Sequence, residues 1–311
     1  MSGLRQILFV LGLGAFWAVS PSLSKLAGAA GLGVGQIVVT SGLCVGIALL
    51  ALQRVVHGRL GIGWPQVLYG LGCGALTLMP FALGQFAIRH VSVALMAVIT
   101  STSPLWTYAL ALTLARDRFN LLRVLALALG LGSSLVLILT RPGASLGGVD
   151  VWVLATLALP VLWGIYNNFT AMTWPKGMTA LTGGMVESTS SGLLALPLLA
   201  LMDWPTRGAM ALSNTAYWLL AAMILAWVVE RICFFSMIEH LGPVTTVQAT
   251  YVATPGAVLL GVLLFAETPD AWLWVSLALL AAALWLNARA TQTSEAPQSL
   301  ASKQEPGVEA Q

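Results

Sequence analysis

The chain has 311 residues, of which 58% are hydrophobic and only 8% carry a charged side chain. Soluble domains average about 25% charged residues, so this composition excludes an ordinary soluble enzyme or binding domain. The formal net charge is only +3, and no basic face or ladder of aromatic and basic residues indicates a nucleic-acid partner. The sequence is typical of a protein buried in lipid.

Ten apolar stretches follow one another along the chain, and each is about as long as a helix needs to be to cross a bilayer. They are rich in Leu, Ala and Gly and do not alternate, so we predict helices rather than barrel strands. The predicted spans are 6–26, 33–53, 66–88, 92–115, 121–140, 150–172, 178–202, 214–237, 244–266 and 270–289.

Basic residues in the predicted loops set the orientation. Ten spans place successive loops on alternate sides of the membrane. Eight basic residues then fall on the same side as the two termini. This count leaves out Arg231, which lies inside a span, and Lys303, which lies in the tail. The other side holds four, which are Lys25, Arg89, Arg141 and Arg207. Positively charged loops stay in the cytoplasm. We therefore predict a multi-pass protein of the cytoplasmic (inner) membrane with both termini inside.

The chain also repeats itself. IRHVSVALMAVITSTSPLWTYALALTLARD, around the fourth span, is similar to IEHLGPVTTVQATYVATPGAVLLGVLLFAET, around the ninth. Pro104 then matches Pro255, and Trp17 and Trp163 occupy like places in the first and sixth spans. The repeat holds five helices, and five is odd, so the second copy enters the membrane inverted, as in many secondary transporters.

The predicted fold is an all-α membrane protein of ten transmembrane helices arranged as two inverted five-helix repeats. The first repeat covers residues 1–145 and the second covers 146–290. Residues 291–311 are rich in Ser, Gln, Glu and Pro, cannot bury apolar surface, and are predicted to form a disordered cytoplasmic tail.

Several short motifs carry a family resemblance. They are the stretch from Trp17 to Lys25, the Ser103–Pro104 and Thr254–Pro255 pairs, HLGPV at 240–244, and LLFAE ending at Glu267. With these motifs in this order, the chain resembles the EamA family of the drug/metabolite transporter superfamily over roughly residues 5–290. The resemblance implies ten helices around a central cavity and the movement of small organic solutes. The first half departs from the second at one turn, where Arg116 and Asp117 stand in place of Glu267.

Glu230 is the strongest candidate for a functional charge. It lies inside the predicted eighth span, where a carboxylate is costly and usually faces a cavity or a partner. At helical spacing it shares a stripe with Trp227 and Phe234. An acid among aromatic side chains suits a cationic or amphipathic solute, or a proton that exchanges with one. The alternatives are a structural ion pair with Arg231 or Arg89, or extension to the inner interface.

Glu187 is the second proton-coupling candidate. It lies in the seventh span beside a run of hydroxyl side chains, Ser188 to Ser191. The alternative is a packing role, because such side chains also join neighbouring helices by hydrogen bonds.

Further polar and aromatic side chains lie near the presumed midline of the spans. An amide such as Asn167 needs a partner there, because an unpaired amide in lipid is costly. We predict a substrate cavity with aromatic walls and scattered amides. Besides Glu230, the predicted lining is Trp17, Ser20, Gln85, Trp163, Tyr166, Asn167, Trp227, Gln248 and Tyr251.

The matched prolines have a mechanical interpretation. Pro104 and Pro255 each remove one helical hydrogen bond, and the preceding Ser103 or Thr254 can bond the freed carbonyl. Symmetric kinks predict hinges for alternating access. Fixed curvature around the cavity is the alternative.

The expected function is export of a small metabolite, such as an amino acid or an aromatic amphipath, driven by protons or by the solute's own gradient. An importer of a sugar, nucleoside or vitamin, a lipid flippase and a membrane-embedded enzyme stay open. No Ser-His-Asp arrangement, Walker loop or HExxH motif occurs, and the three cysteines are scattered, so we expect no catalysis, cofactor or metal. Gly-x₃-Gly spacings at Gly42/Gly46 and Gly70/Gly74 allow close helix packing within a monomer or in a weak homodimer.

Overall fold

The computed structural model describes residues 3–58, 60–114, 119–140, 150–203, 213–247, 249–268 and 270–301, and these contain helices but no strand. The main helices are α1 (Gly3–Ala29), α2 (Val34–His57), α3 (Trp64–Ala87), α4 (Val93–Thr100), α5 (Ser103–Thr113), α6 (Leu121–Leu139), α7 (Val151–Met172), α8 (Ala180–Leu194), α9 (Asn214–Val247), α10 (Thr250–Phe265) and α11 (Ala271–Ala301). A short turn of helix, Leu196–Leu198, and a π-helical segment, Leu199–Asp203, extend α8.

The helices have the length and composition of membrane spans. In the described part of the chain, seven helical segments are long and apolar enough to cross a bilayer, counting α4 with α5 as one and α8 with its extension as one. Three shorter apolar helical segments fall on the predicted fifth, ninth and tenth spans. The all-helical membrane class predicted from composition is thereby confirmed. The count of ten spans and the inverted repeat stay predictions.

The predicted fourth span is interrupted at Ser101 and Thr102, between α4 and α5. Pro104 lies in the first turn of α5 and has no N–H to donate to the carbonyl of Thr100. The Ser103 hydroxyl donates to that carbonyl instead. Pro255, by contrast, lies inside the continuous α10, where the hydroxyl of Thr254 donates to the carbonyl of Thr250 at 3.0 Å.

Two predicted boundaries differ from the structure. Residues 238–243, which we expected to be a connection, are helical, because α9 continues to Val247 with Pro243 inside it. Helix α11 runs to Ala301 and so includes the first eleven residues of the segment predicted to be disordered. Residues 302–311, and Arg116 with Asp117, lie outside the described residues.

Helix packing brings the two halves of the chain together. Helix α2 packs on α8, α3 packs on α7 and α8, α1 packs on α9 and α10, α4 and α5 pack on α7, and α6 packs on α11. Glycines allow the closest approaches: a Cβ added at Gly42 would lie 2.6 Å from the Cα of Gly192. Gly70 and Gly74 of α3 face α8 in the same way. The predicted glycine pairs are therefore used inside this chain.

Candidate binding cavity

A cavity of about 200 Å³ lies where α1, α3, α4, α5, α7, α9 and α10 meet. Its walls are mainly apolar and include seven aromatic side chains. The aromatic lining consists of Phe16, Trp17, Phe81, Trp163, Tyr166, Trp227 and Phe234. Trp227 contacts Phe81 edge to face at 5.0 Å between ring centroids, and Tyr166 stacks on Phe234 at 5.7 Å.

Seven of the predicted site residues line this cavity. They are Trp17, Ser20, Trp163, Tyr166, Asn167, Trp227 and Glu230. Gln85 is not among the lining residues; it is buried, and its amide donates to Ser24 Oγ at 2.9 Å. Gln248 and the side chain of Tyr251 lie outside the described residues.

Glu230 is held in the cavity wall by two side chains. The indole N–H of Trp17 donates to Glu230 Oε1 at 3.0 Å, and Arg231 Nε lies 3.5 Å from Glu230 Oε2. Of the two ion-pair partners considered from the sequence, Arg231 is therefore the one in contact. The carboxylate still borders the cavity, so it is available to a bound solute as well.

Arg231 contacts a second carboxylate. Its Nε lies 3.3 Å from Oε2 of Glu187, whose side chain is completely buried. Tyr166 donates its hydroxyl to Glu187 Oε1 at 3.5 Å. One guanidinium on α9 thus serves two carboxylates, one from its own helix and one from α8.

A smaller cavity of about 40 Å³ also borders Arg231. Its lining includes Glu187 and the hydroxyl-bearing residues Ser41, Thr77, Ser188 and Ser191. Phe81, Trp227 and Arg231 border both cavities. Arg231 therefore borders both an aromatic chamber that contains Glu230 and a small chamber that contains Glu187.

The two proline elements, which are the segments around Pro104 and Pro255, meet at the same cavity. Ser101, at the interruption between α4 and α5, bonds through its hydroxyl to the hydroxyl of Thr254, the residue before Pro255. Ser101, Ser103 and Thr254 all border the cavity. A movement of either proline element would therefore change the shape of the chamber.

An ion pair joins three helices beyond one end of the cavity. Lys25 Nζ, on α1, lies 3.0 Å from Glu267 Oε1, just after α10. The same carboxylate accepts the backbone N–H groups of Val93 at 2.8 Å and Ala94 at 3.1 Å, which open α4. Negative charge is favourable at a helix N-terminus, so Glu267 is well placed to hold α1, α4 and α10 together.

Sequence reasoning did not assign Arg231, Phe81 or Ser101 to the site. Arg231 was considered only as an ion-pair partner of Glu230, although a charged residue next to Glu230 in an apolar stretch is itself a signal of function. Phe81 and Ser101 carry no such signal, because an aromatic or hydroxyl side chain in a span more often packs against lipid or its own helix.

Comparisons with known proteins agree with this architecture. Residues 4–139 match the family model of the EamA-like transporter family, so this resemblance is confirmed for the first half of the chain. A crystal structure of a protein matches with a TM-score of 0.66 and 17% sequence identity, over 93% of this chain and 98% of its own. That likeness shows the fold alone. No curated protein matches the sequence.

Proposed function

We propose that this EamA-like membrane transporter moves small organic solutes across the cytoplasmic membrane by alternating access, with export of an amino acid or an aromatic, amphipathic compound as its task. The aromatic cavity that holds Glu230 is the observation that carries the proposal. It combines large apolar rings with the charged side chains of Glu230 and Arg231 and several hydroxyls, which is the usual composition of a small-molecule site.

The pairing of helices supports two inverted repeats, residues 1–145 and 146–290. The proposed repeat exchanges α1 with α7, α2 with α8, α3 with α9, α5 with α10 and α6 with α11. Under this exchange the contact of α1 with α10 becomes that of α7 with α5, and the contact of α1 with α9 becomes that of α7 with α3. The pairs α2 with α8 and α6 with α11 map onto themselves.

A reciprocal hydrogen bond supports the same symmetry. Ser133 Oγ donates to the carbonyl of Ser276 at 2.7 Å, and Ser276 Oγ donates to the carbonyl of Ser133 at 2.8 Å. Such an exchange is the contact expected where a two-fold axis passes between equivalent helices. Two halves of similar energy, joined by the proline elements, would open the cavity alternately to either side.

A solute panel in proteoliposomes tests the proposal. The purified full chain is reconstituted, and uptake of amino acids, aromatic amines, sugars, nucleosides and vitamins is measured with and without a pH gradient. We expect gradient-dependent transport of aromatic or amphipathic solutes. Transport of sugars, nucleosides or vitamins alone would favour an importer, and movement of labelled lipid alone would favour a flippase.

The variant Trp227→Ala connects transport to this cavity. Loss of an aromatic wall should raise the KM of the transported solute about tenfold or more, since aromatic and cation–π contacts contribute on the order of 1–2 kcal/mol. Trp218→Ala is the matched control, because Trp218 is on the same helix but 77% exposed. Equal KM values in wild type, Trp227→Ala and Trp163→Ala would contradict the aromatic cavity as the transport site.

A further inference from the structure

The charged side chains at the cavity do not balance. Among the residues that the structure describes, the charged lining of the two chambers consists of Glu230, Arg231 and Glu187. With both carboxylates ionised, two negative charges face one positive charge, and the set carries a net charge of −1. A charge left uncompensated at membrane depth is unfavourable, so a positive ligand group would complete the set.

Glu187 determines which carboxylate is left without a full partner. It is completely buried and does not line the aromatic chamber; it contacts two residues that do, Arg231 and Tyr166, and of these Arg231 carries the charge. The Nε of Arg231 is 3.3 Å from Glu187 and 3.5 Å from Glu230. Sharing the guanidinium in this way weakens its hold on Glu230, which faces the open volume.

We propose that Glu187 sets the charge of the ligand. By engaging Arg231 from the small chamber, it leaves the charge of Glu230 only partly neutralised, so that Glu230 can bind a positively charged group, and the cavity takes an aromatic monocation in preference to a zwitterion or an anion. Glu187 is a positioning residue here, because it acts through Arg231 without touching the ligand. The inference rests on the proposed function in that the aromatic chamber is the substrate site.

The aromatic walls fit the same ligand class. Trp17, Trp163 and Trp227 border the chamber together with Glu230. Tryptophan rings attract an ammonium group over their faces, and a carboxylate at hydrogen-bond distance provides its counter-ion. The ring of an aromatic amine would pack against these tryptophan side chains, while its ammonium group would form an ion pair with Glu230. An anionic group would instead face the net negative charge of the set.

Three ligands that share one ring system test the inference. Binding of tryptamine, tryptophan and indole-3-propionate, which are a cation, a zwitterion and an anion at neutral pH, is measured on the full chain in lipid nanodiscs. We expect wild type to bind tryptamine about tenfold or more tightly than tryptophan, and indole-3-propionate most weakly, because a like charge in a dry site is strongly unfavourable.

The variant Glu187→Gln should abolish this preference. Its set of charges sums to zero, since Arg231 then neutralises Glu230, and tryptophan should bind at least as tightly as tryptamine. Glu187→Asp keeps the charge and should keep the order of wild type. Asp150→Asn is the matched control, because it removes one negative charge at the exposed start of α7, where an asparagine still caps the helix.

Either of two results would overturn the inference: wild type that does not bind tryptamine more tightly than tryptophan, or Glu187→Gln that folds and keeps the wild-type ratio. The wild-type series needs no variant, so the inference stays testable even where Glu187→Gln fails to fold. Failure of the proposed function is separate, because it would show as absence of solute transport in the proteoliposome panel whatever the binding ratios are.

Discussion

The indole N–H of Trp17 donates a hydrogen bond to Oε1 of Glu230 at 3.0 Å and so joins α1 to α9 across the cavity wall. The two residues are 213 positions apart in the chain and, in the proposed repeat, belong to different halves. An aromatic donor is thereby bonded to the one carboxylate that borders the aromatic chamber. One hydrogen bond thus joins an aromatic wall of the cavity to its carboxylate, so single substitutions can test each of these two groups.

Replacing Trp17 by Phe should weaken solute binding while leaving an aromatic wall. The change removes the donor to Glu230, and hydrogen bonds to charged groups contribute about 1.5–3 kcal/mol. We expect the KM of the transported solute to rise by about tenfold or more, as measured by uptake in proteoliposomes. Trp218→Phe, on the exposed side of α9, should transport as wild type does. A Trp17→Phe protein with an unchanged KM would contradict a role for this contact.

Replacing Arg231 by Met should destabilise the fold. The change leaves Glu187 and Glu230 buried near each other without a counter-ion, and breaking a buried pair in this way typically costs about 3–5 kcal/mol. Thermal unfolding in detergent should show a clearly lower Tm. The double variant Arg231→Met with Glu187→Gln removes one of the stranded charges and should recover part of the loss. A double variant no more stable than Arg231→Met would argue against the shared guanidinium.

The ion pair of Lys25 and Glu267 should contribute modestly to stability. Lys25 is 25% exposed and Glu267 is 15% exposed at the side chain, so solvent screens part of the attraction. A double-mutant cycle of Lys25→Met and Glu267→Gln should give a coupling of about 1 kcal/mol or less. Glu267→Gln alone should cost more than Lys25→Met alone, because Glu267 also accepts two backbone N–H groups of α4. Equal losses from the two single variants would contradict that second role.

Replacing Gly42 by Ala should disrupt the contact between α2 and α8. The added Cβ would lie 2.6 Å from the Cα of Gly192, and backbone cannot yield as a side chain can. Overpacking of this kind costs about 1–3 kcal/mol. Gly12→Ala is the control: nothing lies within 4 Å of its added Cβ, and alanine favours a helix interior. We expect a lower Tm for Gly42→Ala and an equal or higher Tm for Gly12→Ala.

Much of the site was predictable because its residues carry local signals. Glu230 is conspicuous as a carboxylate in an apolar stretch, and Trp17, Trp163 and Trp227 share helix faces with polar side chains. A charge or an amide in lipid requires a partner wherever the helix packs, so its presence alone indicates a cavity. Gln85 follows the same logic but finds its partner in Ser24, outside the cavity lining. A side chain's need for a partner can be predicted without knowing which partner it has.

The sequence by itself determined the membrane class, the predicted span positions and the transporter resemblance. Hydrophobicity, helix length and motif order depend only on the order of residues along the chain and not on how the helices pack. Only the tertiary structure decided that Arg231 lies between Glu187 and Glu230, that Glu187 belongs to a separate small chamber, and that Ser101 meets Thr254. These relationships depend on how each helix is rotated about its axis and which helix it packs against. That choice minimises the free energy of the whole bundle, and no single stretch of sequence contains it.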